Sequence, residues 1–184
     1  MKYKNLFARI FWIMAFTVSC NVIYAQRLAV KTNTLLLGNF TPNLTFSIIG
    51  TEKTSIELTG FHSVGKTPLK TDLTGFQVEM RYWFSGRPLN RFFIGGALTA
   101  LRYDTSLIGD FRRIGDAVSP GLTYGYALPL GRHWNIEFAA GVGAFWNRER
   151  RYAKNDPEFN KKPYNEHGFQ VMPNKLAVSC AYIF

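Results

Sequence analysis

Apolar and polar residues alternate one by one, run after run, from residue 27 to residue 184. Successive side chains of a strand point to opposite faces, so a period of two predicts strands with one apolar and one polar face. The clearest run is Leu73–Phe84, where Phe76, Val78, Met80, Tyr82 and Phe84 alternate with Gln77, Glu79, Arg81 and Trp83. The same reading predicts eight strands: Arg27–Leu37, Asn43–Gly50, Thr54–His62, Leu73–Phe84, Arg91–Tyr103, Val118–Pro129, His133–Asn147 and Lys175–Phe184. In the fifth, Phe92, Ile94, Leu98 and Ala100 are set on the apolar face. In the last, Leu176, Val178, Cys180, Tyr182 and Phe184 share one face and Lys175, Ala177, Ser179 and Ala181 the other. Turn residues such as Gly50-Thr51-Glu52-Lys53 and Ser85-Gly86-Arg87-Pro88 stand between the runs.

Eight such runs predict an all-β chain, an eight-stranded antiparallel up-and-down barrel. Gly, Ala, Ser and Thr dominate the polar parity, which suits a narrow interior better than a solvated exterior. The apolar parity is therefore expected outside, which makes the barrel a transmembrane one. A soluble barrel of the lipocalin kind carries the same alternation with the faces reversed, and is the alternative. Trp134 and Trp146 lie twelve residues apart on the apolar parity. At ~3.3 Å per residue and a ~45° tilt they span roughly 28 Å, close to the apolar thickness of a bilayer. Trp134, Trp146, Tyr82, Phe84, Tyr182 and Phe184 read as an aromatic girdle. The second, fourth and sixth connections are short. The third, the fifth (Asp104–Asp116) and the seventh (Arg148–Pro173) are longer, as expected for periplasmic turns and outside loops.

The first 25 residues are a separate module. Lys2, Lys4 and Arg9 precede an apolar run that ends near Ala25-Gln26. This is the pattern of a secretory signal peptide cleaved after Ala25. Ile23 is an unusual residue three places before the cut, and lipoprotein processing at Cys20 or a retained helix stays open. The expected plan is a signal peptide over 1–25 and an outer-membrane barrel over 26–184, exported through the secretory pathway to the cell outer membrane. No run of ~20 apolar residues follows Ala25, so crossing a membrane requires a closed barrel.

Composition sharpens this picture. Aromatic residues make up 16% of the chain, and there are 16 Gly. Removing Lys2, Lys4 and Arg9 from 22 basic residues leaves 19 against 12 acidic ones, a net of +7. In an exported chain that charge points to anionic lipid head groups and away from nucleic acid. Only Cys180 remains after cleavage at Ala25, so no internal disulfide is expected.

The inward face carries Glu57, Glu79, Arg81, Glu137, Lys31 and Lys175. An eight-stranded barrel is barely wide enough for its own side chains. Three acids and three bases there are expected to pair, either as a plug or as a gated narrow pore. Lys31 depends on the register of the first strand. Arg148, Arg150, Arg151, Lys154, Lys161 and Lys162 form a basic patch in the last loop, with Tyr152 and Tyr164 between them. That patch is expected to meet lipopolysaccharide phosphates or a protein partner. Enzyme chemistry finds little footing. His62 and Ser63 are adjacent and so point to opposite faces, His133 lies at the predicted periplasmic end, and His167 stands beside Glu166 in the last loop. No Gly-x-Ser-x-Gly, His-Glu-x-x-His or Cys-x-x-Cys is present. No catalytic residue, metal site or cofactor is expected; a lipid-modifying enzyme working near His62 or His167 is the enzymatic alternative.

The last strand ends on an aromatic, Phe184. It resembles the C-terminal strand of bacterial outer-membrane barrels, which implies recognition by the barrel-assembly machinery. Several short motifs recur in order: Lys31-Thr32-Asn33, Thr41-Pro42-Asn43-Leu44, Glu79-Met80-Arg81-Tyr82-Trp83-Phe84, Tyr124-Gly125-Tyr126, Trp134-Asn135-Ile136-Glu137 and Gly141-Val142-Gly143. With these, Leu28 to Phe184 resembles domain of unknown function 3575, small exported proteins of Bacteroides-type bacteria. The resemblance implies an outer-membrane barrel and no catalytic residues. Some relatives sit alongside fimbrial components, which implies a role in surface assembly as a weaker reading. The paired cysteines expected in the last loop of many relatives are missing here, so no disulfide is carried over.

Overall fold

In the computed structural model, which describes residues 28–65, 67–106, 111–153, 164 and 166–184, the sheet closes on itself. Its strands are β1 (Leu28–Asn33), β2 (Asn43–Ile49), β3 (Thr54–His62), β4 (Thr71–Trp83), β5 (Arg91–Thr105), β6 (Phe111–Pro129), β7 (Trp134–Ala153) and β8 (Glu166–Ile183). Each pairs antiparallel with the next, and β1 pairs with β8 from Ala29 opposite Ile183 to Asn33 opposite Ser179. The ring closes through this pairing, while the Glu166–Val178 part of β8 has no strand partner on its β1 side among the described residues. One short helix, α1 (Thr34–Gly38), follows β1. The signal peptide expected over 1–25, with Cys20, falls outside the described residues.

Burial inverts the usual order. The inward positions of β3 and β4 include Ser55, Glu57, Gln77, Glu79, Arg81 and Trp83, all buried. The outward positions are large and apolar: Phe46, Ile56, Phe76, Met80, Phe92, Ile94, Leu98, Leu122, Phe138 and Leu176 are all exposed. The lipocalin arrangement, with apolar residues inside, is not the one adopted. Small residues let the ring close tightly around its contents. A Cβ on Gly125 would stand 2.4 Å from the Phe93 ring, and one on Gly95 would stand 2.8 Å from a Glu79 carboxylate oxygen.

Four boundaries depart from the sequence reading. The first strand stops at Asn33 instead of running to Leu37. The Asn33 side chain accepts a hydrogen bond from the Leu35 backbone N–H at 3.1 Å, capping a helical turn that the apolar run Leu35–Leu37 then fills. The expected fifth loop, Asp104–Asp116, is largely ladder, with Asp104 opposite Ile114 and Thr105 opposite Arg113. The expected seventh loop, Arg148–Pro173, is mostly strand as well, with Arg148 opposite His167. Charged side chains at a strand's end resemble a loop in sequence, but cross-strand pairing satisfies their backbone all the same. The last strand accordingly begins at Glu166, well before Lys175.

The alternation in β8 is broken once. Gly141 faces Lys175, but Val142 faces Pro173, so Asn174 is an extra residue in a β-bulge. Lys175 and Asn174 both turn inward, and the inward set changes from odd to even numbers. Above the bulge Phe169 and Val171 point out, and Met172 lines the interior.

Filling Gly125 should be costly. Gly125→Val is expected to destabilise the barrel by about 1–3 kcal/mol through overpacking against Phe93, while Gly96→Val, outward with nothing within 4 Å of a new Cβ, has no such clash. Thermal unfolding followed by circular dichroism separates the two. Equal midpoints would show that the interior yields at Gly125.

Candidate functional site

Six charges predicted on the inward parity meet in the middle of the barrel. Glu57 on β3 stands directly opposite Glu79 on β4, a like-charge pair that would repel without cations between them. Arg81 supplies the centre. Its Nη1 reaches Glu57 at 2.8 Å and Glu137 on β7 at 2.7 Å, and its Nε donates to Glu79 at 2.8 Å. Lys31 on β1 bridges Glu57 and Glu137, the latter at 2.7 Å. Lys175 on β8 pairs with Glu79, to which Thr123 also donates at 2.6 Å. The guanidinium of Arg81 also lies 4.0 Å from the centre of the Phe93 ring. Three acids and three bases thus form one neutral knot, and five of the six residues are at most 3% exposed.

Below the knot, toward the short turns, the lumen has an apolar floor. Trp83 and Phe93 pack with ring centres 4.8 Å apart, and Leu89 is buried with them in one cluster. The Trp83 indole N–H donates to Ser55 at 2.9 Å, and Asn135 donates to the Leu89 carbonyl. Leu89 takes a left-handed backbone, φ 62°, in the turn between β4 and β5. Sequence reading missed this residue because turn residues give no parity. Above the knot lies a chamber of about 130 Å³ whose walls include Lys31, Glu57, Gln77 and Lys175. Beyond it, a cavity of about 330 Å³ is lined by residues that include Tyr103, Arg113, Phe145 and Glu149.

The six aromatics read as a girdle lie toward the two ends of the outer face. Trp134, Tyr182 and Phe184 form a run of edge contacts at the turn end, with centroids 5.1 and 5.0 Å apart, and Tyr82 meets Phe84 at 5.6 Å. Trp146 meets Phe169 at the other end, 5.3 Å apart. Tyr182 is half-buried; the other five girdle residues are exposed.

The basic patch is not one loop surface. Arg148, Arg150 and Arg151 lie in β7, and strand alternation splits them. Arg148 points outward in a row that runs across the ladder as Arg102, Asp116, Arg148 and His167. That row sits just above the Trp146 level. Arg102 bonds Asp116 at 2.8 Å, and this hydrogen bond, aided by one from Tyr164, holds the Asp116 carboxyl below its ordinary range. Arg150 stacks on Tyr164 at 4.6 Å. Arg151, on the inward parity, stacks on Phe111 and pairs with Glu166 at 3.5 Å. Lys154, Lys161 and Lys162 lie outside the described residues.

His62 does not meet its neighbour Ser63. His62 Nδ1 bonds the Thr74 hydroxyl at 2.7 Å, while Ser63 turns to Thr41 at 2.8 Å. His133 bonds the Ile183 carbonyl at 2.9 Å. No cluster of metal-ligating side chains occurs among the described residues.

The family model described as Protein of unknown function (DUF3575) matches residues 10–184. The chain belongs to this family. The match takes in every strand of the ring and all six residues of the knot. No curated protein and no solved structure matches the chain.

Arg81 holds three carboxylates, so its loss should be severe. Arg81→Met is expected to destabilise the protein by about 3–5 kcal/mol, the effect of leaving buried charges unpaired. Glu79→Gln, which strands Lys175 and one face of Arg81, should act in the same direction. Denaturant midpoints measure both, and an unchanged midpoint for either would show that the knot does not support the fold.

Proposed function

We propose that this family member is a closed, non-enzymatic barrel of the bacterial outer membrane, exported through the secretory pathway. Its outward basic rim would hold lipopolysaccharide phosphates. The observation that carries this reading is the inverted burial: a ring with charge at its centre and large apolar side chains around its outside. In lipid backbone groups must be paired within the protein, and closing the sheet between β1 and β8 removes much of the edge an open sheet would leave unpaired. The outer apolar band runs between Trp134, Tyr82 and Phe84 at one end and Trp146 and Phe169 at the other, as a bilayer requires.

Arg148 and Arg102 stand immediately above Trp146, at the depth where head-group phosphates would lie, and Arg148 has no ion pair among the described residues. Arg–phosphate contacts are charge-assisted and directional. The closing strand, with Phe184 exposed at its end, suits engagement by the barrel-assembly machinery. The floor of Trp83, Phe93 and Leu89 and the neutral knot above it favour a plug over the pore reading. A protein partner at the rim is the other use of the same surface.

Refolded into detergent, the chain from residue 26 onward should migrate faster unheated than boiled, and in planar bilayers it should give no conductance steps. A soluble monomer in plain buffer, with no heat-dependent shift, would sink the membrane reading; steady steps would sink the plug. In lipopolysaccharide-containing vesicles, Arg148→Ala should weaken the association with lipopolysaccharide severalfold, and an unchanged association would remove the rim from the proposal.

A further inference from the structure

The cavity above the knot carries chemistry that neither the plug nor the outer rim uses. It lies inside the barrel at the α1 end, and its volume, about 330 Å³, is at the lower end of pockets that hold small molecules. Glu149 of β7 is buried in its wall and has no cationic partner among the described residues. The Tyr103 hydroxyl donates to its Oε2 at 2.6 Å and Asn147 to the same oxygen at 3.4 Å, and no donor to Oε1 occurs among the described residues. Burial and this bond to Glu149 raise the Tyr103 phenol above its ordinary value, so it stays a donor. Arg113 of β6 lines the same cavity and makes no ion pair among the described residues. A buried carboxylate needs a compensating charge, and the half-buried guanidinium leaves a cation facing the same space.

Two amides add to this. The Oδ1 of Asn147 and both polar atoms of Asn174 are buried without a hydrogen-bond partner among the described residues. Asn174 reaches the interior only through its bulge, and only because its neighbours are glycines: a Cβ on Gly121 or Gly141 would stand 2.0 or 2.5 Å from its amide atoms. Leu101, Phe145 and Met172 supply apolar wall beside these groups.

We infer that this cavity binds a small zwitterion of the amino-acid or dipeptide class. The ligand carboxylate meets Arg113, its ammonium meets Glu149, the amides of Asn147 and Asn174 take a peptide group, and a side chain rests on Leu101, Phe145 and Met172. The inference needs only the closed barrel and stands apart from the membrane reading.

The test is calorimetric titration of the folded protein, in detergent or, if it is soluble without it, in plain buffer, with glycyl-leucine, its N-acetyl form and its C-terminal amide. The free dipeptide should bind, and each blocked form should bind at least about tenfold more weakly, the loss of one charge-assisted contact. In Glu149→Gln the free and N-acetyl forms should become nearly equal; in Arg113→Gln the free and amide forms should. No binding of glycyl-leucine to the wild-type protein would overturn the proposal, and so would equal binding of all three. The wild-type comparison decides the matter even where a variant fails to fold.

Discussion

Charges buried in a narrow barrel must satisfy one another, and here a single guanidinium meets most of that demand. Arg81 contacts all three acids of the knot, and Lys31 and Lys175 close the remaining faces. The six residues come from β1, β3, β4, β7 and β8, so the knot fixes the register of strands distant in sequence. A slip of one residue in any of these would put its charge on the outside and leave partners buried without compensation. Hydrophobic burial places few such demands on this barrel. Its interior core is small, and most of its large apolar side chains face outward.

This arrangement separates the roles of the two faces. The outward side chains supply a uniform apolar surface, which tolerates exchange among residues of like character. The inward side chains fit one another in position and volume. Glycines opposite Phe93, Glu79 and Asn174 are part of that fit, because the larger groups occupy the space their side chains would need. Specific structure therefore resides in the polar interior, the reverse of a soluble domain.

Much of the fold was legible in the sequence. Parity alone places Glu57, Glu79, Arg81, Glu137, Lys31 and Lys175 on one face, and a barrel then forces them together. The run Trp134–Trp146 places its two Trp residues on the outer face near the two ends of the apolar band. The misreadings share a cause. At the α1 end the strands continue past the apolar band, so their outward residues become Arg102, Asp116, Arg148 and His167, and the alternation of hydrophobicity disappears while the alternation of direction persists. The inward series Gly143, Phe145, Asn147 and Glu149 still signalled a strand, and with it the upper cavity. Leu89 had no such signal: its inward turn follows from backbone conformation and from the Trp83 and Phe93 beside it.

The bulge in β8 amounts to one surplus letter in an otherwise regular text. Below it the inward residues are Lys175, Ala177, Ser179 and Ala181; above it they are Met172 and Gln170. Excising Asn174 would join Pro173, which faces out, directly to Lys175, which faces in. Every other side chain of the strand would keep its present side. The insertion is thus unnecessary for the ladder, and its one lasting product is an amide held inside the barrel, in a space kept open by Gly121, Gly141 and Gly143.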